Sequence, residues 1–189
     1  MVATTQTGRP RNAGIDDAVL RATVELLERD GYLQLTIANV AARAGTSKPA
    51  IYRRWPTKAH LVHEAVFPAR AFGPMRRGRD LRGDIRALIG RGLELLGRPA
   101  ARAALPGLLA ESATNSALAA DVLTQAAGDT LAWLDERLAA GDVRAGVYAA
   151  TVFELVAGAA FMVSLTTDGR VDKRRIEAMV DVIVRGITA

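Results

Sequence analysis

Cysteine is absent from the 189 residues, which excludes disulfides, cysteine-ligated zinc ribbons and thiol catalysis together. Histidine occurs twice, at positions 60 and 63. The two share one helical face beside Glu64, so a metal site is conceivable. Packing of that helix is the preferred reading, and neither a metal nor a cofactor is expected. No nucleophile motif, P-loop or dinucleotide fingerprint occurs. No catalytic residue is assigned, although a carboxylate pair stays open. Aromatics make up 5% of the chain. The opening stretch MVATTQTGRPRNAG holds no apolar run, so a secretory signal is not expected there.

What is present is an apolar fraction of 50% beside 24% charged residues, enough to bury a core and against disorder as the main state. The length suits one domain, or a small domain joined to a larger one. Of 25 basic residues only Lys48, Lys58 and Lys173 are lysine. That arginine bias, with abundant Ala, Gly and Val, suggests GC-rich coding and points to a bacterial cytoplasm. The charge is lopsided. Residues 1–82 carry 14 Lys/Arg against 7 Asp/Glu, whereas residues 83–189 carry 11 against 13. A polyanionic partner is therefore expected for the first part alone, with a solvated basic face as the alternative.

Helical spacing governs the pattern from Ile15 onward. Ile15, Val19, Ala22 and Leu26 recur on one face, and Asp16 and Asp17 favour the positive end of the helix dipole. Gly31 is the expected stop, after which Tyr32, Leu33 and Leu35 should return along the core. Thr36 should cap a short helix that ends at Gly45, and Ser47 the next, with Pro49 in its first turn where a missing N–H costs nothing. Pro56 ends that helix, and Thr57 caps a fourth running to about Phe67. Further helices are expected at 81–97, 100–113, 116–140, 145–166 and 172–187. Residues 145–165 are long enough to cross a bilayer, but Glu154 sits in the middle and Ala and Gly supply little driving force. A buried helix is expected there, with no membrane partner.

The run LTIANVAARAGTSKPAIYRRWPTK, from Leu35 to Lys58, has the layout of a helix-turn-helix. At 100° per residue, with Ile51 set inward, Trp55 lies about 40° away on the same face. Pro49 and Arg53 point outward, with Lys48 and Tyr52 on one shoulder and Arg54 on the other. No acid occurs between Val40 and Leu61. Lys and Arg donate to guanine edges or neutralise phosphates, and the Tyr, Ser and Thr hydroxyls suit phosphate oxygens. Thr36 and Thr57 open helices whose N-terminal amides are ready phosphate sites.

The run from Ile15 to Val66 resembles the N-terminal domain of TetR-family transcriptional regulators. The marks are a Gly-aromatic after the first helix, Thr36 ahead of the second, Ala-x-x-Ala-Gly, Tyr-x-x-Trp and Lys58. The resemblance implies an all-α chain: a three-helix helix-turn-helix domain and a larger helical domain for ligand sensing and dimerisation. The expected division is a basic arm at 1–13, the DNA-binding domain at 14–67, a connection at 68–80 and the larger domain at 81–189. Carried over by position, Thr36, Thr46, Ser47, Lys48, Pro49, Tyr52, Arg53, Arg54 and Lys58 would touch DNA. Trp55 stands where the family usually has Phe; core packing is expected of it, with the indole N–H free to reach a phosphate. Arg9 and Arg11 on the arm would reach the minor groove or flanking phosphates.

The last two long helices make the dimer in such families. The stripes read for that role are Val152, Val156, Ala159 and Val163, then Ile176, Val180, Ile183 and Ile187. For the ligand pocket the residues singled out are Glu111, Trp133, Phe153, Glu154 and Phe161, each of which core or surface packing would also explain. The expected protein is thus a homodimeric regulator binding a palindromic operator on double-stranded DNA, a repressor released by a small molecule. Alternatives are an architectural DNA-binding protein that senses nothing and, further off, an enzyme.

Overall fold

In the computed structural model the described residues are 13–68, 78–140, 143–167 and 171–188. They form helices α1 (Ala13–Gln34), α2 (Ile37–Arg43), α3 (Lys48–Tyr52), α4 (Lys58–Val66), α5 (Leu81–Gly97), α6 (Pro99–Thr114), α7 (Ser116–Ala139), α8 (Ala149–Thr166) and α9 (Lys173–Ile187). Among the described residues the β-structure is limited to one isolated bridge, Val143 to Thr188. The chain is all-α, as its periodicity implies.

Local signals set most of the helix ends. Thr36, Ser47, Thr57 and Asp80 each accept a hydrogen bond from a backbone amide in the first turn of α2, α3, α4 and α5. Gly31 and Gly45 take φ of 76° and 65°, a conformation that costs a side-chain-bearing residue but not glycine. Gly31 interrupts α1 and redirects the chain, so Tyr32 and Leu35 turn inward at 5% and 2% exposure. Leu33, expected in the core, lies on the outer side of that turn at 85% exposure, and Ile15 is 41% exposed at the helix entry. α3 is shorter than its sequence pattern suggests. Beyond Tyr52 the amides of Arg54 and Trp55 both donate to the Ile51 carbonyl, and Pro56 ends the turn. The helix expected from 145 begins only at Ala149, after Gly146 at φ 85°.

Two cores form. The first joins α1–α4 through Val19, Leu26, Leu27, Val40, Ile51, Leu61 and Val62, and α6 completes it with Ala100, Ala101, Ala104 and Leu108. The second joins α5, α7, α8 and α9 through Ile85, Ile89, Leu134, Val152, Val156, Val180 and Ile183. One helix from beyond the connection expected at 68–80 thus packs back on the N-terminal core. Ala100, Ala101, Ala104 and Leu108 of α6 belong to the core of the N-terminal helices, and burial of the Leu108 side chain contributes about 1.5–3 kcal/mol. Residues 69–77 of that connection lie outside the described residues.

A buried ion pair joins Arg137, in the last turn of α7, to Asp84, in the first turn of α5. Each charge sits where its helix dipole favours it. Asp84 also accepts from the Gly78 amide at 2.6 Å, tying the end of the connection to α5. Removing either partner would strand a buried charge at a cost of about 3–5 kcal/mol.

α8 is long and apolar enough by length and composition to cross a membrane, with mean hydropathy 1.7. One face, Ala149, Val152, Val156, Ala160 and Val163, is buried in the subunit. The opposite face, with Leu155, Met162 and Leu165, is exposed, so within the subunit the expected burial holds for one side.

Candidate nucleic-acid interface

α2 and α3 meet across the turn at Gly45, held by the Thr46 amide on the Ala41 carbonyl at 2.9 Å. Ile51 anchors α3 inward at 1% exposure. The opposite surface therefore faces water: Ser47, Lys48, Pro49, Tyr52 and Arg53 are all exposed. Thr36 is exposed at the head of α2 and Thr46 half-buried in the turn. The hydroxyls of Thr36 and Ser47 already accept from the amides of Asn39 and Ala50, at 3.2 and 3.4 Å, so each caps its own helix before it meets any partner.

Three contacts hold this surface, and the sequence pattern named none of them. Arg54 forms an ion pair with Asp16 in the first turn of α1. Arg54 is exposed on that shoulder of the interface, as expected, and the pair with Asp16 ties it to α1. Trp55 is buried at 4% exposure, as expected, but its indole N–H donates to Glu64 Oε2 on α4 at 2.7 Å. That donor is therefore not available to a phosphate. Arg43, at the end of α2, donates to Glu25 of α1 at 2.9 and 2.6 Å. Asp16, Glu25 and Glu64 thus fix the orientation of the cationic helices from behind. Pairing across 38 or 9 positions leaves no trace in helical spacing.

Lys58 opens α4. Its Nζ lies 4.0 Å from the centre of the Tyr32 ring and donates to the Tyr32 carbonyl at 3.3 Å. It also stands 4.0 Å from Glu111 Oε1. The Tyr32 hydroxyl donates to that same oxygen at 2.6 Å. Burial first, then the Glu111 carboxylate, pushes the Tyr32 phenol well above its ordinary pKa, so it stays protonated and remains a donor. A methyl group built on Gly107 would overlap the Tyr32 ring. The missing side chain at 107 is what admits Tyr32 against α6. Glu111, singled out for a pocket, makes polar contacts from α6 to Tyr32 and Lys58 of the N-terminal helices.

His63 is buried and packs against Phe67 with ring centroids 5.3 Å apart, while His60 Nδ1 lies 2.8 Å from Thr57 Oγ1. Among the described residues no cluster suits a metal ion. Arg9 and Arg11 lie outside the described residues.

In the larger domain a cavity of about 660 Å³ opens between α8, α9 and the 144–147 segment, lined by Thr151, Leu155, Ala159, Met179, Val182 and others. Glu111, Trp133, Phe153, Glu154 and Phe161 are not among its lining residues. Trp133 and Phe153 pack on the second core, Phe161 is half-buried and Glu154 is exposed. The Trp133 indole nitrogen is buried without a hydrogen-bond partner. Of the stripes read as a dimer surface, Val152, Val156, Val163, Val180, Ile183 and Ile187 are buried in the subunit's own packing. Ala159 and Ile176 are half-buried. The exposed apolar residues of α8 and α9 are Leu155, Met162, Leu165 and Val182, at 55%, 56%, 49% and 73%. α5 and α9 are also clamped by ion pairs, Glu177 to Arg86 and Arg82, and Asp181 to Arg82. The Arg86 guanidinium, with Arg82, lowers the Glu177 carboxyl to about 2.

The family model described as bacterial regulatory proteins of the tetR family matches residues 19–65, and that described as a tetracyclin repressor-like C-terminal domain matches residues 77–183. A Mycobacterium tuberculosis protein, the HTH-type transcriptional regulator Rv1556, is 52% identical over 44 residues, 23% of this chain and 22% of that protein. A DNA-binding transcriptional repressor of Mycobacteroides abscessus, TetR, is 45% identical over 49 residues, 26% of each. The match thus spans only about a quarter of these curated relatives' length. Solved structures align far more fully. The TetR family transcription regulator SCO0332 is 28% identical with a TM-score of 0.65, over 93% of this chain and 99% of that one. A regulator from Mesorhizobium loti, at 16% identity, gives the same TM-score over 96% and 100%, a likeness of fold alone.

Proposed function

The chain belongs to the tetR family of bacterial regulatory proteins, and from that premise we propose that it is a cytoplasmic, sequence-specific DNA-binding repressor. It acts as a homodimer on a palindromic operator and is released by a small molecule. The observation that carries the reading is the outward set of α3 and its C-cap: Lys48, Tyr52 and Arg53 are exposed together, and Ile51 anchors the opposite side. A rigid helix with a cationic outer face fits the major groove, where Arg reads guanine and Lys and hydroxyl groups take phosphates. Thr36, Thr46, Ser47, Pro49, Arg54 and Lys58 flank it, and Arg9 and Arg11 of the arm extend the contact surface.

Dimerisation is supported by the exposed apolar side of α8 and α9, where Leu155, Met162 and Val182 stand unpaired beside the groove. Two copies joined there would present two α3 helices to half-sites a helical turn or more apart. Release by a ligand requires that it bind the two arrangements with different affinity. The regulatory domain shares α6 with the core of the DNA-binding helices, which supports a mechanical route for that difference.

Selection on random duplexes tests the proposal, and an enriched palindrome bound by a dimer is expected. Arg53→Ala should then weaken that site about 5- to 150-fold more than a random duplex, since a bidentate base contact is worth about 1–3 kcal/mol. Equal losses on both would refute base reading by Arg53. Similar affinity for all sequences would favour an architectural protein, and turnover of a substrate without DNA an enzyme.

A further inference from the structure

We propose that Glu111 of α6 is a positioning residue that competes with the DNA backbone for the Lys58 ammonium. The inference rests on the reading of Lys58 as a phosphate contact. It deepens that reading by naming the group that holds the lysine when DNA is absent.

Lys58 is held from three sides within one subunit: the Tyr32 ring, the Tyr32 carbonyl and the Glu111 carboxylate. Its side chain nevertheless keeps 26% exposure, so four methylenes let the ammonium swing outward without unfolding anything. An ammonium carries one charge. Drawn onto a phosphate, it leaves Glu111; held at Glu111, it neutralises no phosphate. Tyr32 sets the balance, because its hydroxyl is bonded to the same Glu111 oxygen that faces Lys58. The slot above Gly107 keeps the ring in register with Glu111, one turn further along α6. Since α6 also packs on α5 and α7, a shift of α6 along α1 would move the competing carboxylate. Through that contact the regulatory helices reach a residue at the DNA surface.

A partly exposed ion pair is worth a few tenths to about one kcal/mol, so its removal should tighten operator binding two- to fivefold. The experiment measures operator affinity against salt for the full-length protein and for Lys58→Ala, Glu111→Gln, Glu111→Asp and the Lys58→Ala/Glu111→Gln double variant, with melting curves to show that each is folded. Lys58→Ala should weaken binding and lower the salt slope by about one. Glu111→Gln should tighten binding two- to fivefold. Glu111→Asp keeps the charge but withdraws it by one methylene, and should also tighten binding. In the Lys58→Ala background the gain should vanish. If Lys58→Ala changes neither affinity nor slope, the phosphate reading of Lys58 fails, and the competition with it. If Lys58→Ala behaves as expected while Glu111→Gln does not tighten binding, the functional reading survives and the competition is overturned. A gain that persists without Lys58, or that Glu111→Asp lacks, would also overturn it by marking a general charge effect.

Discussion

Replacing Gly107 by alanine sets two effects of known size against each other. α6 is helical at 107, and alanine there should stabilise the helix by about 1 kcal/mol relative to glycine. The added methyl, however, would occupy the space of the Tyr32 ring. Tyr32 is 5% exposed, so expelling it forfeits roughly 1.5–3 kcal/mol of aromatic burial. Its hydrogen bond to Glu111 at 2.6 Å adds about 1–2 kcal/mol, taken at the low end for a half-exposed carboxylate. The overlap wins, and Gly107→Ala should destabilise the protein by about 1.5–4 kcal/mol. For a chain of this size that lowers the melting temperature by roughly 3–16 °C. Gly90→Ala in α5 is the matched control. A methyl there meets nothing within 4 Å, so only the propensity gain of about 0.5–1 kcal/mol should appear. Thermal and urea unfolding of both variants decides the matter. A Gly107→Ala protein as stable as its Gly90→Ala counterpart would refute the claim that Tyr32 is wedged against α6.

Two further outcomes follow from the larger domain. Val182 is 73% exposed, so Val182→Glu should leave subunit stability within about 0.5 kcal/mol of the parent yet abolish dimerisation, which light scattering at micromolar concentration would show. A dimer that persists would remove the exposed α8–α9 face from consideration. Glu177 has its carboxyl lowered to about 2 by Arg86 and Arg82, below its ordinary 4.5. The α5–α9 clamp should therefore contribute fully above pH 4.5 and lose its contribution as pH falls towards 2. The stability gap between the parent and Glu177→Gln, followed by urea unfolding, should close across that window; a gap independent of pH would contradict the assignment.

What the sequence determined by itself was local. Thr36, Ser47 and Thr57 cap their helices because a hydroxyl can reach an amide three residues on, whatever lies elsewhere in the chain. Gly31 and Gly45 break helices because a left-handed residue is inexpensive only without a side chain. The outward set on α3 was legible for the same reason: in a half-polar helix, one inward residue, Ile51, orients all the others. Where helices are apolar on more than one side this reasoning fails. Val152, Val156 and Val180 were read as facing a second copy, but periodicity marks a stripe without saying which neighbour covers it. Only the packing of α8 and α9 on α5 assigned those residues inward and left Leu155, Met162 and Val182 outside. Nor could spacing join Tyr32 to Glu111, 79 positions away, or Arg54 to Asp16, because side chains distant in the chain meet only once the helices have packed.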